Sequence, residues 1–171
     1  MGIIYRNYND RKRENQLIKI SNACKRRGYK LFVSNDVKLA YKFKAAGIYV
    51  PSYNKTSGFS NFEKKNITII GSAHNQGEIR RKIAQNCKKI FISPVFQVKK
   101  SKKYLNINKF NYLSIGNKVN VFALGGISED NISKLKMLFI NGYGGISLFK
   151  KKAGLREADF LKNIFFNTLK R

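Results

Sequence analysis

The stretch KLFVSNDVKLAYKFKAAGIYV, residues 30–50, decides the fold. Lys30-Leu31-Phe32-Val33 is a short run, apolar on both faces, as a strand covered on both sides must be. Asp36 suits a helix N-cap, because its carboxylate can accept from the free N–H groups of a first turn. Val37, Leu39, Ala40, Phe43 and Ala46 then recur at helical spacing, and Gly47 stops the helix. Ile48-Tyr49-Val50 is the next strand, ended by Pro51. Strand, helix and strand in so short a span make a βαβ unit, which predicts parallel pairing with a helix on the sheet.

The same alternation runs outward in both directions. Gly2-Ile3-Ile4-Tyr5 is a strand, followed by a helix over Arg11–Arg27 with Leu17, Ile18, Ile20, Ala23 and Cys24 on its apolar side and Gly28 at its stop. Beyond the polar loop 52–66 come a strand from Ile67 to Gly71, a helix from Gly77 to Asn86 and a strand from Lys89 to Ser93. A basic loop from Gln97 to Lys103 leads to a helix over Ile107–Gly116 and a strand over Val119–Leu124. Ser128 reads as the N-cap of a helix carrying Ile132, Leu135, Leu138 and Phe139, with Gly142 as its stop. Glu129 and Asp130 fall in its first turn, where the helix dipole favours anions. Gly145–Phe149 is a seventh strand, and Leu155–Lys170 a closing helix. Seven βα units in one chain predict a single α/β domain over residues 1–171, TIM-barrel-like and one unit short of eight. No GxGxxG follows the first strand, so a dinucleotide-binding sheet has no support.

The 171 residues carry 35 Lys+Arg against 9 Asp+Glu, a formal charge of +26. Charge of that size first suggests nucleic acid. Lys, Asn, Ile, Phe and Tyr, all with AT-rich codons, make up half of the chain, however, and the cations are spread along its whole length. Aromatic–basic recognition motifs are missing, so nucleic-acid binding is kept only as a second alternative. An apolar content of 43% excludes a disordered basic tail. The two cysteines, Cys24 and Cys87, sit in helical stretches and read as buried thiols. No apolar run reaches membrane-spanning length and no secretory signal is visible, which predicts a cytoplasmic protein without a membrane partner.

In parallel α/β folds function collects where strands run out into βα loops. Those positions hold Arg6 and Tyr8, then Ser34, Asn35 and Asp36, then Ser52, Tyr53 and Asn54, then Ser72, His74 and Asn75. Lys99, Lys100, Lys102 and Lys103 follow Pro94; Gly125 and Gly126 follow the sixth strand; Ile146 and Ser147 lie on the seventh. Each has a plain structural reading: Asp36 as a cap, His74 as a satisfied loop residue, the lysines as a solvated loop. Gly125-Gly126 is more specific, since two glycines after a buried strand let a phosphate approach backbone N–H groups closely.

These pieces, in this order, resemble the thiamine-phosphate synthase family, whose barrel also includes thiazole tautomerases. Tyr5-Arg6 looks like the end of the family's F-R-E-K strand. VSNDVKLA, residues 33–40, with AGIYV, residues 46–50, looks like N-D-D-V-x-L-A followed by A-D-G-I-H-I. Gly71-Ser72-Ala73-His74 with Glu78, Ser93-Pro94-Val95-Phe96, Ala123–Ile127 and Gly145-Ile146-Ser147 look like four further family motifs. The resemblance implies joining of a pyrimidine-methyl pyrophosphate to a thiazole phosphate, with Mg²⁺ and basic residues drawing off pyrophosphate. It implies Arg6, Ser72 and Lys102 as catalytic residues. Tyr8, Asn35 and His74 would bind substrate, and Gly125, Gly126, Ile146 and Ser147 would hold the thiazole phosphate. A tautomerase or a non-catalytic phosphate binder is the alternative within the family.

The departures bear on the metal. The match puts Asn35 at a metal-binding aspartate of the family, leaving Asp36 as the candidate metal ligand. The family's acidic G-Q-E-D loop is replaced by Pro51-Ser52-Tyr53-Asn54. The chain also starts at the family's second strand, so the first unit of the family barrel is missing. A barrel with such a gap predicts an exposed edge, which implies either a second copy covering it in a homo-oligomer or a reduced, weakly active enzyme.

Overall fold

The computed structural model describes residues 1–7, 13–57, 59, 66–98, 103–146, 148–149 and 163–169. Strands β1 (Gly2–Tyr5), β2 (Lys30–Ser34), β3 (Gly47–Val50), β4 (Thr68–Ala73), β5 (Lys89–Ile92), β6 (Asn120–Leu124), β7 (Gly142–Gly145) and β8 (Ile164–Thr168) close into a barrel in sequence order. Between them lie the helices α1 (Arg13–Arg27), α2 (Val37–Lys42), α3 (Gln76–Ala84) and α4 (Asn106–Ser114), with a 3-10 helix over Ile132–Met137. β1 to β7 pair in parallel, as the βαβ reading of residues 30–50 requires. Among the described residues no helix is long and apolar enough to cross a membrane.

The barrel closes in a way the sequence reading did not foresee. β8 runs antiparallel to both β1 and β7 and fills the space between them. The closing helix over Leu155–Lys170 is therefore corrected where it is described: Ile164–Thr168 is a strand, and 155–162 lie outside the described residues. Phe165 and Ile164 fit helical spacing with Leu169, but they also alternate between faces. Phe165 packs outward, 6.3 Å from the Phe149 ring, whereas Ile164 and Phe166 point into the barrel. A strand buried on both faces is apolar throughout, and periodicity alone cannot separate it from a buried helix. The open edge that called for a covering subunit is not there; the chain's own β8 covers it.

Two other elements shift. The seventh strand is Gly142–Gly145 rather than Gly145–Phe149, so Gly142 is no helix stop. Its sequence, GYGG, hides the strand because aromatic rings from other strands fill the space its side chains would occupy. The stretch after Ser128 forms only the 3-10 helix, and its cap residue is Asn131. Asn131 Oδ1 accepts from Ser128 N at 2.9 Å, and its Nδ2 donates to Gly126 O at 2.8 Å.

Two apolar layers hold the barrel. Leu17, Ile20, Cys24, Ala40, Ile79 and Phe110 pack the helices onto the outward residues of the strands. Inside, Ile4, Phe32, Tyr49, Ile70, Phe91, Phe122, Ile164 and Phe166 form a separate cluster. Phe166 sits at its middle, with ring centroids 5.2 Å from Phe91, 5.5 Å from Phe32 and 5.8 Å from Phe122. Those tilted and edge-on contacts suit the ring quadrupoles. Gly2, opposite in register, leaves the room: a Cβ there would fall 2.3 Å from the Phe166 ring. The two cysteines are free and buried, and burial pushes Cys24 up to about 11 and Cys87 up to about 12.

Candidate functional site at the carboxyl mouth of the barrel

With the lumen filled by rings, the chemistry is left to the end where β1–β7 finish. Tyr49, Ser72 and Arg6 meet here. Ser72 and Arg6 each hydrogen-bond the Tyr49 hydroxyl. Burial pushes the Tyr49 hydroxyl's pKa up, and those two bonds with the Arg6 charge offset part of that rise. Tyr49 therefore stays a neutral phenol at physiological pH. It reads in sequence as one more apolar strand residue, so its polar end carries no signal. Arg6 N donates to Oδ1 of the buried Asn163 at 3.4 Å, which ties the end of β1 to the start of β8. Arg6 Nε is enclosed and has no hydrogen-bond partner among the described residues.

Next to this trio, Asn35 takes a left-handed backbone at φ 55°, and its N–H donates to Tyr49 O at 2.9 Å. Asn54 Nδ2 donates to Asn35 Oδ1. The loop carrying Asn54 is anchored from below by Lys82 and Gln85. Lys82 is fully buried on α3; its Nζ donates to Asn54 O at 3.0 Å and to Gln85 Oε1 at 2.8 Å. Gln85 Nε2 donates to Asn54 O at 3.1 Å and to Thr56 O at 2.7 Å. Desolvation lowers the Lys82 pKa to about 8; Arg81 adds to that, while Cys87 and Glu78 oppose it. A lysine on a helix reads as a solvent-facing residue, so this anchor has no sequence signal.

On the other side, His74 is exposed at the rim. Its Nδ1 lies 2.6 Å from Ser93 O, so in the neutral ring that nitrogen carries the proton and Nε2 is left as the acceptor. Gly125 and Gly126 have φ of 89° and 73°. Val95 N and Phe96 N donate to Leu124 O and Gly125 O, and a Cβ on Gly126 would fall 2.4 Å from Phe96 O. Only glycine fits there. Ile146 packs onto the inner cluster just beyond β7. Arg6, Asn35, Ser72, His74, Gly125, Gly126 and Ile146 thus share one end of the barrel. Tyr8, Lys102 and Ser147 lie outside the described residues.

Asp36 has other work. Its Oδ1 accepts from Leu39 N at 2.9 Å as the α2 cap, as its sequence position predicts, and its Oδ2 pairs with Arg13 Nη1 at 3.0 Å. Arg13 Nη2 also donates to Ser34 O at 3.0 Å. Glu78 is similarly occupied: Oε2 accepts from His74 N and Oε1 from Asn75 Nδ2. No group of three His, Cys, Asp or Glu able to hold a metal occurs among the described residues. A divalent cation of the Mg²⁺ type needs several oxygen ligands, usually one or two carboxylates, and these residues do not fit one.

The chain is a closed eight-stranded α/β barrel that carries an arginine, two hydroxyls and a double-glycine turn at its carboxyl end. The family model described as thiamine monophosphate synthase matches residues 2–149, and the chain belongs to that family. Thiamine-phosphate synthases of two strains of Prochlorococcus marinus are 33% identical over 143 residues and 31% over 138, covering 78% and 75% of this chain. The chain spans 38% and 37% of the length of those relatives. Among solved structures, a thiamine phosphate pyrophosphorylase from Pyrococcus furiosus superposes with a TM-score of 0.70 at 19% identity. That superposition covers 85% of this chain and 71% of the other, and it bears on the fold.

Proposed function

We propose that this barrel, one domain over residues 1–171, is a cytoplasmic thiamine-phosphate synthase-like transferase. It joins a pyrimidine-methyl pyrophosphate to a thiazole phosphate and releases pyrophosphate. The observation that carries this reading is Arg6: a guanidinium at the mouth, hydrogen-bonded to Tyr49 beside Ser72, with an enclosed Nε that no described residue satisfies. An unmet buried donor costs roughly 1–3 kcal/mol, and an anionic ligand at the mouth would offset that. In the reaction the C–O bond to the pyrophosphate breaks and both electrons leave with the pyrophosphate oxygen. The lone pair of the thiazole nitrogen forms the new C–N bond. Negative charge gathers on the leaving group, and a preplaced guanidinium lowers that barrier. Lys102 is assigned to the same anion, and Tyr8 to the substrate. Gly125, Gly126, Ile146 and Ser147 are assigned to the thiazole phosphate.

The purified full chain, given both substrates, is expected to release pyrophosphate and form thiamine phosphate. A folded protein that forms no product refutes the transferase reading. His74 favours a second reading, a tautomerase, because its Nε2 is an acceptor held in place through Nδ1. Isomerisation of a thiazole phosphate in the absence of the pyrimidine substrate, lost in His74→Asn, would select it.

A further inference from the structure

Two neutral amides meet where a metal site needs carboxylates. Asn54 Nδ2 donates to Asn35 Oδ1, and Thr56 N donates to Asn54 Oδ1 at 2.7 Å. Both side-chain carbonyls are engaged within the protein. The main-chain carbonyls behind them, Asn54 O and Thr56 O, are turned down onto the Lys82 ammonium and the Gln85 amide. Oxygens that could have served a cation are thus facing donors. Among the described residues, the carboxylates nearest in sequence to the amide pair, Asp36 and Glu78, have both oxygens in local bonds. What remains outward is donor chemistry: the Arg6 guanidinium and the NH₂ group of the exposed Asn35. That set repels a cation and receives an anion.

We infer that the mouth takes a phosphorylated ligand without a divalent cation, through Arg6 and an Asn35–Asn54 amide pair that the buried Lys82 holds in place. The inference rests on the phosphate-binding reading above and deepens it. It assigns Lys82 and Gln85 as positioning residues for Asn54. It also separates this barrel from one in which acidic residues bind a metal that in turn binds the phosphate. Positive charge comes from the Arg6 side chain held in the fold, so affinity does not follow the metal content of the medium.

The test is calorimetric titration of the full chain with pyrophosphate, once in EDTA and once in excess Mg²⁺. The expected result is binding in EDTA, with an affinity that Mg²⁺ leaves unchanged or weakens, because magnesium pyrophosphate carries less charge. Arg6→Met should weaken EDTA binding by at least ~10-fold, the scale of a charge-assisted hydrogen bond. The double substitution Asn35→Asp with Asn54→Asp should weaken EDTA binding by a similar factor and make binding respond to Mg²⁺. Binding that appears only with Mg²⁺ overturns the inference and leaves the phosphate-binding reading intact. EDTA binding that the double substitution leaves unchanged also overturns it. No binding under either condition overturns both.

Discussion

Replacing Lys82 by Met tests how the mouth is held from beneath. The side chain is fully buried, its ammonium bound to one amide carbonyl and one peptide carbonyl. Burial and the neighbouring Arg81 charge lower its pKa from 10.5 to about 8, against the opposing pull of Cys87 and Glu78. Below pH 8 the folded and unfolded chains both hold the proton, and the cost of burying the charge is full and constant. Above it the folded chain sheds a proton that the unfolded chain keeps until 10.5. The unfolded state then binds more protons, so stability rises with pH in that window. From pH 7 to pH 9 the gain is roughly 1 kcal/mol, because one pKa unit corresponds to about 1.4 kcal/mol. For a chain of this size that is about 3 °C in Tm. The buried thiols work the other way. Unfolded cysteines ionise near 9 while Cys24 and Cys87 stay protonated to about 11 and about 12, so stability falls at higher pH. Thermal or urea unfolding of parent and Lys82→Met between pH 7 and pH 9 isolates the lysine. The parent should gain about 1 kcal/mol on the variant over that range. Parallel curves would refute a strained, buried ammonium.

Three further outcomes follow from the geometry. Phe166→Ala removes the ring that touches Phe32, Phe91 and Phe122 and should cost about 3–5 kcal/mol in urea unfolding; a loss below 1 kcal/mol would mean the lumen is not packed around it. Gly126→Ala places a Cβ 2.4 Å from Phe96 O at a φ of 73°, and should cost at least ~1–2 kcal/mol in stability while weakening phosphate binding. Asp36→Asn keeps a cap oxygen but drops the charge facing Arg13. The expected loss is ~1 kcal/mol or less, since the pair is partly exposed. A large fall in Mg²⁺ affinity in the same variant would show that Asp36 is a metal ligand after all.

Residues 30–50 are readable because each part obeys a local rule. The strands are apolar and the cap is an aspartate; the glycine expected to stop the helix instead opens β3, since α2 already ends at Lys42 with Phe43 as its C-cap. Arg6, Ser72 and the glycine pair are readable for a second reason: in parallel α/β folds the ends of strands are where chemistry collects. Legibility fails where a residue's partners are distant in sequence. β7 is three glycines and a tyrosine, with Phe122 and Phe166 of the two adjacent strands beside its glycines. β8 carries the spacing of a helix and the burial of a strand, and only the gap between β1 and β7 decides between them. Lys82 and Asn54 lie 28 positions apart. Neither residue type hints at the other, because a lysine and an asparagine are ordinarily solvent-facing.

Closure by β8 also sets the order of events as the chain is made. A ribosome delivers β8 more than 150 residues after β1. Until then β1 and β7 each present a bare row of backbone donors and acceptors, and the Phe32, Phe91 and Phe122 rings lack the fourth ring that completes their cluster. Parallel neighbours can form pair by pair during synthesis, but the cylinder cannot seal. Docking of β8 between its two neighbours, with Asn163 beside Arg6, is what removes both open edges at once.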